Sequence, residues 1–305
     1  MIKKKIFITG GSGFLGRHLI KELSKDHKVY APSSKRINLL NIKNLFKIKD
    51  KFDEIYHLAA WTQAGDFCLK YPADQWIRNQ LINTNILNWW KQKNSKAKLI
   101  FIGTSCCYDE NGNFLEKNYL HDKPHSSLTT YAMTKKMLLQ GAISMEKQYK
   151  MKWLCVVPST LYGSSYHEDD RQQHFIFDLI RKILNGKYKN KKVKLWGNGL
   201  QKREIIHVND FISNLIKVNN KINNEIINIG QGKNHTIKKF AITICKILNY
   251  DHKKIFYDKS KYVGALNKKI NVNRIKKIIP TYQKNLTPLM IGLKETIKWY
   301  EKKFF

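Results

Sequence analysis

The chain has 305 residues, of which 42% are hydrophobic and 12% aromatic, and it carries a formal net charge of +33 at pH 7. This length and apolar content fit an ordered protein of one large or two moderate domains. No apolar run approaches membrane-spanning length, and the lysines at 3–5 lead into only a short apolar stretch, so we expect neither a membrane segment nor a signal peptide and place the protein in the cytoplasm.

The positive charge does not by itself indicate a nucleic-acid partner. Few of the 56 basic residues are arginine, and the lysines are spread over almost the whole chain. We therefore expect a lysine-rich solvated surface with no specific nucleic acid, which would still attract an anionic substrate. The cysteines form no CxxC pair and no Cys/His spacing of a zinc site, so we predict reduced thiols and no metal.

The N-terminus contains a strand, a glycine-rich turn and a helix in succession. Residues 5–9 form an apolar stretch, glycines follow at 10, 13 and 16, and 14–25 has the pattern of a helix. In this context small residues let the backbone approach a pyrophosphate, whose charge lies at the helix N-terminus. The pattern predicts a dinucleotide-binding turn that uses Gly10, Gly13, Phe14, Leu15 and Gly16.

The predicted elements of the first half alternate between strands and helices. Strands are predicted at 28–31, 54–59, 98–103 and 152–158, and helices at 73–93 and 129–149. This alternation is typical of an α/β fold, a Rossmann-type doubly wound parallel sheet.

The second half has a looser pattern. It predicts a loop at 161–165, helices at 173–185, 236–248 and 288–302, and strands at 193–197, 204–208 and 225–230. We expect a cofactor-binding domain over 1–160, to which 204–231 returns, and a smaller C-terminal substrate-binding lobe over 161–305.

Tyr131 and Lys135 form the second motif, because their i, i+4 spacing places a phenol and an ammonium on one helical face. A nearby lysine favours the phenolate and is expected to lower the pKa of Tyr131, as a proton-transfer residue requires. Together with the glycine turn, this pair indicates chemistry on a nicotinamide. His57, at the end of a predicted strand, is expected to be a packed residue and not a catalyst.

The end of the second predicted strand bears on the choice of cofactor. An acidic residue there would bind the ribose 2′-hydroxyl of NAD, but residues 31–36 contain no acid. They offer Lys35 and Arg36, which suit a 2′-phosphate, so NADP is favoured. The alternative is that both are ordinary surface cations.

Several segments together resemble the extended short-chain dehydrogenase/reductases, the NAD-dependent epimerase/dehydratase family of nucleotide-sugar enzymes. They are GGSGFLG, HLAA, IGTSCCY, YAMTK, VVPSTLYG, WGNGLQKRE and INIGQG. Within that family the segment 103–108 and the later Arg-Glu stretch are most similar to enzymes that epimerise C3 and C5 of a GDP-4-keto-6-deoxy sugar and reduce C4 with NADPH. The resemblance implies a nucleotide-diphosphate sugar as substrate, with GDP favoured, and a homodimer.

The resemblance also implies residue roles. Thr104 would bind the substrate carbonyl, Tyr131 would protonate the C4 oxygen, and Lys135 would hold the ribose hydroxyls. Cys106 and His174 match the acid/base pair of the epimerisation. Further positions match cofactor contacts (Leu58, Ala59, Ala60, Pro158 and Leu161) and substrate contacts (Lys182, Trp196 and Arg203).

The chain departs from the family pattern in the second lobe, where Val263, Asn267 and Asn271 replace charged residues and the loop 109–114 lacks a proline. Another 4-reductase, or a 4-epimerase without the 3,5-epimerase step, therefore stays open. A dehydratase is disfavoured, because Ser105-Cys106 stands where dehydratases carry an Asp-Glu pair. A non-catalytic nucleotide- or RNA-binding protein of the same fold is the alternative of a different class.

Overall fold

The computed structural model describes residues 2–167, 171–260 and 265–305. Its strands, in chain order, are β1 Lys5–Thr9, β2 Lys28–Tyr30, β3 Glu54–His57, β4 Lys98–Ile102, β5 Trp153–Pro158, β6 Thr160–Tyr162, β7 Val193–Trp196, β8 Lys202–Arg203, β9 Ile205–His207, β10 Glu225–Ile229, β11 His235–Thr236 and β12 Ile255–Asp258. Its α-helices are α1 Phe14–Leu23, α2 Ile42–Phe46, α3 Phe67–Lys70, α4 Pro72–Lys93, α5 Thr129–Tyr149, α6 Phe175–Lys189, α7 Val208–Asn219, α8 Ile237–Leu248, α9 Asn273–Ile278 and α10 Leu289–Phe304.

A parallel sheet of six strands, in the order β10-β5-β4-β3-β1-β2, forms the centre of the molecule. Its strands are rich in branched and aromatic residues, and Ile6, Phe7 and Ile8 of β1 are fully buried, as expected for a sheet covered on both faces. Helices α2, α4 and α5 pack together, and α1 packs against α7. The Rossmann-type doubly wound sheet predicted from the sequence is confirmed.

The order of the strands creates a crevice at one edge of this sheet. The chain passes from β1 to β2 on one side and then returns to place β3 on the other side of β1. In doubly wound sheets ligands bind outside the carboxyl ends of the strands at such a switch of direction. The glycine turn follows β1 at this point.

A second hydrophobic core lies outside the sheet and is formed mainly by α6, α8, α10 and the short strands β7 and β12. The first core also takes in residues 270–282, beyond the segment 204–231 that was expected to return to it. The ring of Phe14 packs on Tyr166 and Phe177, with centroids 5.1 and 5.8 Å apart, and so joins the first turn of α1 to the second core.

Most predicted elements have their counterpart, but the second half contains two errors. The loop predicted at 161–165 is wrong at its start, because Leu161 and Tyr162 belong to β6, which pairs with β9. The strand predicted at 204–208 ends at His207, where α7 begins without an intervening loop. No helix in the described part of the chain is long and apolar enough to cross a membrane.

Candidate active site

The glycine turn draws the ends of β1 and β3 together. Gly10 has φ +71°, and a Cβ there would lie 2.8 Å from the main-chain nitrogen of Ala59. A Cβ on Gly16 would lie 2.2 Å from the carbonyl oxygen of Gly10. Only glycine fits either position. The first turn of α1, with Gly13 as its N-cap and half-buried Phe14 and Leu15 next, therefore opens into the crevice, as the pyrophosphate of a dinucleotide requires.

The predicted cofactor residues after β3 and β5 lie along the same edge. Leu58, Ala59 and Ala60 directly follow β3. The main-chain nitrogen of Leu58 donates to the Thr9 carbonyl oxygen at 3.3 Å, and that of Ala59 donates to Thr9 Oγ1 at 3.3 Å. Residues 158 and 161, at the end of β5 and in β6, are half-buried. The small side chains of Ala59 and Ala60 beside the turn leave room for a cofactor.

Lys35 and Arg36 are exposed in the turn after β2. The turn is closed by a 3.0 Å hydrogen bond from the Arg36 nitrogen to the Ser33 oxygen, and the Arg36 guanidinium lies 5.7 Å from the centroid of the Tyr30 ring. Both cations are thus accessible at the carboxyl end of β2.

Tyr131 and Lys135 lie on α5, with the Lys135 ammonium 5.9 Å from the centroid of the Tyr131 ring. Lys135 is buried, and burial lowers its pKa to about 8. Burial raises the pKa of Tyr131, and charge on Cys106 and Cys107 would raise it further. The expected lowering of the Tyr131 pKa is therefore wrong: burial raises it and keeps a phenol that can donate its proton.

Thr104 and Cys106 lie directly after β4, where residues 105–107 form a short 3-10 turn. Thr104 caps this turn, since its Oγ1 accepts a 3.2 Å hydrogen bond from the Cys106 nitrogen. The Cys107 thiol donates to the carbonyl oxygen of Ala132 at 3.4 Å. This bond fixes the turn against α5 beside Tyr131, so the sequence-predicted Thr104, Cys106 and Tyr131 are brought together.

A buried polar chain beneath these residues was not predicted from the sequence. Thr9 Oγ1 and His57 Nδ1 lie 2.8 Å apart, His57 Nε2 and Asn83 Oδ1 lie 3.2 Å apart, and Asn83 Nδ2 donates to the Thr134 carbonyl at 3.2 Å. Burial, aided by the charge of Lys135, lowers the pKa of His57 to about 3. His57 is thus a neutral packed residue, and its network joins the glycine turn to α5.

His174 is the N-cap residue of α6, in the second lobe. Its side chain is exposed at the surface, yet desolvation by the surrounding protein lowers the pKa of its imidazole, and the charges of His167 and Lys268 act in the same direction. The loop before it is held to the first lobe, because Gln172 Nε2 donates to Asp66 Oδ1 at 2.5 Å.

The predicted substrate residues form one side of the second lobe. Lys182 pairs with Asp178 at 2.7 Å and lies 6.0 Å from the centroid of the Trp196 ring. Trp196 is 56% exposed at the end of β7. Arg203 in β8 donates to the Ala265 carbonyl at 2.6 Å, which fixes its guanidinium near the 265–268 segment.

A cavity of about 590 Å³ opens where the β7–β8 connection meets the segment after β12, lined by Gly197, Asn198, Leu200, Gln201, Lys202, Lys259, Leu266 and Asn267. Asn267, one of the departures from the family pattern, thus faces a ligand-sized space. Asn271 does not, because its Oδ1 accepts from the Asn273 nitrogen and its main chain contacts Asn228 and Phe114. Val263 lies outside the described residues.

The sequence analysis also missed Lys268. Its ammonium donates to Cys106 Sγ at 3.6 Å and acts on the pKa of His174. Nothing in the sequence distinguishes this lysine from the many others, so only the fold reveals its place.

The sequence profile of the NAD dependent epimerase/dehydratase family matches residues 6–230. GDP-L-fucose synthase of Escherichia coli (strain K12) is 28% identical to the chain over 98% of it and 97% of that relative.

Two solved structures share the fold over almost their whole length. One is a GDP-L-fucose synthetase from Naegleria fowleri bound to NADP, with a TM-score of 0.85, 22% identity, and coverage of 100% of this chain and 96% of that one. The other is a GDP-6-OMe-4-keto-L-xylo-heptose reductase from C. jejuni, with a TM-score of 0.86, 21% identity, and coverage of 99% and 98%.

Proposed function

Because the chain belongs to the NAD dependent epimerase/dehydratase family, we propose that it reduces the C4 ketone of a GDP-linked 4-keto-6-deoxy sugar with NADPH, after inverting C3 and C5. The protein is an NADP-dependent enzyme of the oxidoreductase/epimerase type. The observation that carries the proposal is the convergence of the glycine turn, the Tyr131–Lys135 helix and the Thr104–Cys106 turn at one edge of the sheet.

The residues of the crevice suit the cofactor, because the turn at Gly10 and Gly16 has no room for side chains and Lys135 is a buried cation on α5. NADPH supplies the hydride. The Tyr131 phenol stays protonated at neutral pH, so it can give its proton to the C4 oxygen, while the Thr104 hydroxyl binds the same oxygen. Lys135 would hold the ribose hydroxyls of the bound cofactor, and it adds positive charge beside Tyr131.

Epimerisation uses the two groups that flank the sugar from different lobes. A proton next to the ketone leaves to one group, its electron pair moves onto the C4 oxygen as an enolate, and the other group returns a proton to the opposite face. Cys106 approaches from the turn after β4, and His174 from the start of α6. We assign these two side chains to the acid and base roles.

GDP is the proposed nucleotide. The relatives described above are named for GDP-linked sugars, and Arg203, Trp196 and Lys182 offer a guanidinium, an exposed ring and an ammonium on one side of the second lobe. In this reading, residues 1–160 with 204–231 bind the cofactor, and the rest of 161–305 binds the nucleotide sugar.

A 4-reductase without the epimerase step is the second candidate. It is favoured by Asn267, which faces the cavity where the family pattern has a charged residue. A non-catalytic nucleotide- or RNA-binding protein is less well supported, because Tyr131 and Lys135 are both in place on α5.

The test is to incubate the protein with NADPH and a panel of GDP-, UDP- and dTDP-linked 4-keto-6-deoxy sugars and to follow NADPH absorbance. We expect NADPH to be oxidised fastest with the GDP-linked sugar. Oxidation only with a UDP or dTDP sugar would refute the nucleotide assignment, and no oxidation with any of them would refute the reductase.

We also infer a homodimer. Several large apolar side chains on the outer faces of α4 and α5 are 40–55% exposed, namely Trp76, Ile77, Leu81 and Met137. Because α4 and α5 pack side by side, these residues offer one surface that a second copy can cover. Light scattering should give twice the chain mass for wild type and the chain mass for Ile77→Glu. A wild-type monomer at micromolar concentration would refute the pairing.

A further inference from the structure

A lysine of the second lobe contacts the sulfur of Cys106. Lys268 Nζ donates to Cys106 Sγ at 3.6 Å. The Lys268 backbone is itself fixed, because its nitrogen donates to the Lys202 oxygen at 3.2 Å and the Lys202 nitrogen donates to the Leu266 oxygen at 2.8 Å. These two bonds attach the segment to β8. The contact therefore comes from an anchored backbone and not from a freely extended surface lysine.

The charge of Lys268 lies beside the Cys106 sulfur. Within the described part of the chain, the ammonium forms no ion pair with a carboxylate, and the side chain is half-buried. The charge of Lys268 acts on two neighbouring groups. It adds to the lowering of the His174 pKa that burial causes, and it opposes the rise that burial causes in the pKa of Cys68. An ammonium in contact with a thiol stabilises the thiolate that forms beside it.

The other titratable groups that act with Cys106 are neutral at neutral pH. Burial raises the pKa of Tyr131 on α5, of Cys68 on α3, and of the neighbouring Cys107, the last to about 12. A phenol and two thiols add no charge in their resting state. Lys268 is therefore the cation that contacts this sulfur.

We propose that Lys268 is a positioning residue that stabilises the thiolate form of Cys106 for the proton transfers of the epimerisation. The proposal rests on the proposed function. When Cys106 takes the proton from the sugar carbon, it must begin as a thiolate; when it returns a proton to the enolate, it is left as one. In both directions the Lys268 ammonium pairs with the sulfur when the sulfur carries a negative charge, and no further reactant is needed.

The first test needs no substrate. Cys106 is half-buried, whereas the other four cysteines are buried, so iodoacetamide applied to the folded protein should modify Cys106 first. The rate is measured from pH 6 to pH 9, with mass spectrometry to locate the adduct. Since only the thiolate reacts, Lys268→Met should slow alkylation at pH 7 about fivefold and move the profile to higher pH. Lys268→Arg should restore most of the rate.

Lys277→Met, which removes an exposed lysine on α9, is the matched control and should alkylate like wild type. Circular dichroism melting of each variant shows whether the fold is kept. Identical pH profiles for wild type and Lys268→Met would overturn the proposal.

The second test uses the 4-keto sugar without NADPH in D₂O. Deuterium should enter C3 and C5 with wild type and enter at least about fivefold more slowly with Lys268→Met, while NADPH affinity is unchanged. If the alkylation profiles differ but wild type exchanges no deuterium, the Lys268–Cys106 pair stands and the proposed epimerisation fails. If wild type and Lys268→Met exchange at the same rate, the positioning role is refuted.

Discussion

Replacing Gly16 with alanine should damage both the fold and the cofactor site. The new Cβ would lie 2.2 Å from the Gly10 oxygen and 2.7 Å from the Gly11 Cα. Both are backbone atoms, which no change of rotamer can move. To reach ordinary contact, which begins at 3.4 Å, α1 must shift by about 1.2 Å from the turn. Overpacking of this kind costs about 1–3 kcal/mol, which for a chain of this length corresponds to a melting temperature lowered by about 2–5 °C.

Gly13→Ala is the matched control, because its Cβ would meet only the Gly10 oxygen, at 3.2 Å, and its backbone already has an extended conformation that alanine adopts. We expect Gly13→Ala to melt within about 1 °C of wild type but to bind NADPH about tenfold more weakly, since its methyl group occupies the path of the pyrophosphate. Gly16→Ala should lose both stability and affinity. Calorimetry and NADPH fluorescence titration measure the two effects, and a Gly16→Ala protein with wild-type melting and affinity would refute the packing argument.

Three further predictions concern the catalytic pair and the cofactor. Tyr131→Phe should reduce the rate of NADPH oxidation at least about 100-fold with NADPH affinity nearly intact, because it removes the proton donor; wild-type turnover would refute the mechanism. The Lys35→Ala/Arg36→Ala double variant should bind NADPH about tenfold more weakly and NADH as wild type does, and equal affinities of wild type for both cofactors would mean that the two residues are ordinary surface cations. Lys135 is charged below its pKa of about 8 and neutral above it, so NADPH affinity should fall as the pH rises through about 8, and Lys135→Met should flatten that part of the titration.

The first half of the fold is predictable because its signals are local. A buried strand, a glycine turn and a helix follow one another in the sequence, and the helix predicted at 129–149 has those bounds in the structure. In the second half, the strands β6, β8 and β11 escape prediction, because two or three residues have no period. Tyr162 enters β6 through its pairing with β9, which lies more than 40 residues away in the chain.

The candidate site shows the same division between local and distant signals. The spacing of Tyr131 and Lys135 is visible in the sequence, but the direction of the Tyr131 pKa shift depends on how deeply α5 lies in the fold. Asn83 and Lys268 carry no sequence signal at all. Each meets its partner, His57 or Cys106, only through contacts between elements that are distant in the chain.

One measurement tests both halves of the proposed reaction together: incubation of GDP-4-keto-6-deoxymannose with the protein and NADPH in D₂O, followed by NMR of the product. The account predicts a GDP-6-deoxyhexose that carries deuterium at C3 and C5 and protium at C4, because hydrogen at the first two positions comes from solvent and at the third from NADPH. A reduced product without deuterium at C3 and C5 would indicate a 4-reductase without the epimerase step and would contradict the roles of Cys106 and His174. No reduced product would contradict the account as a whole.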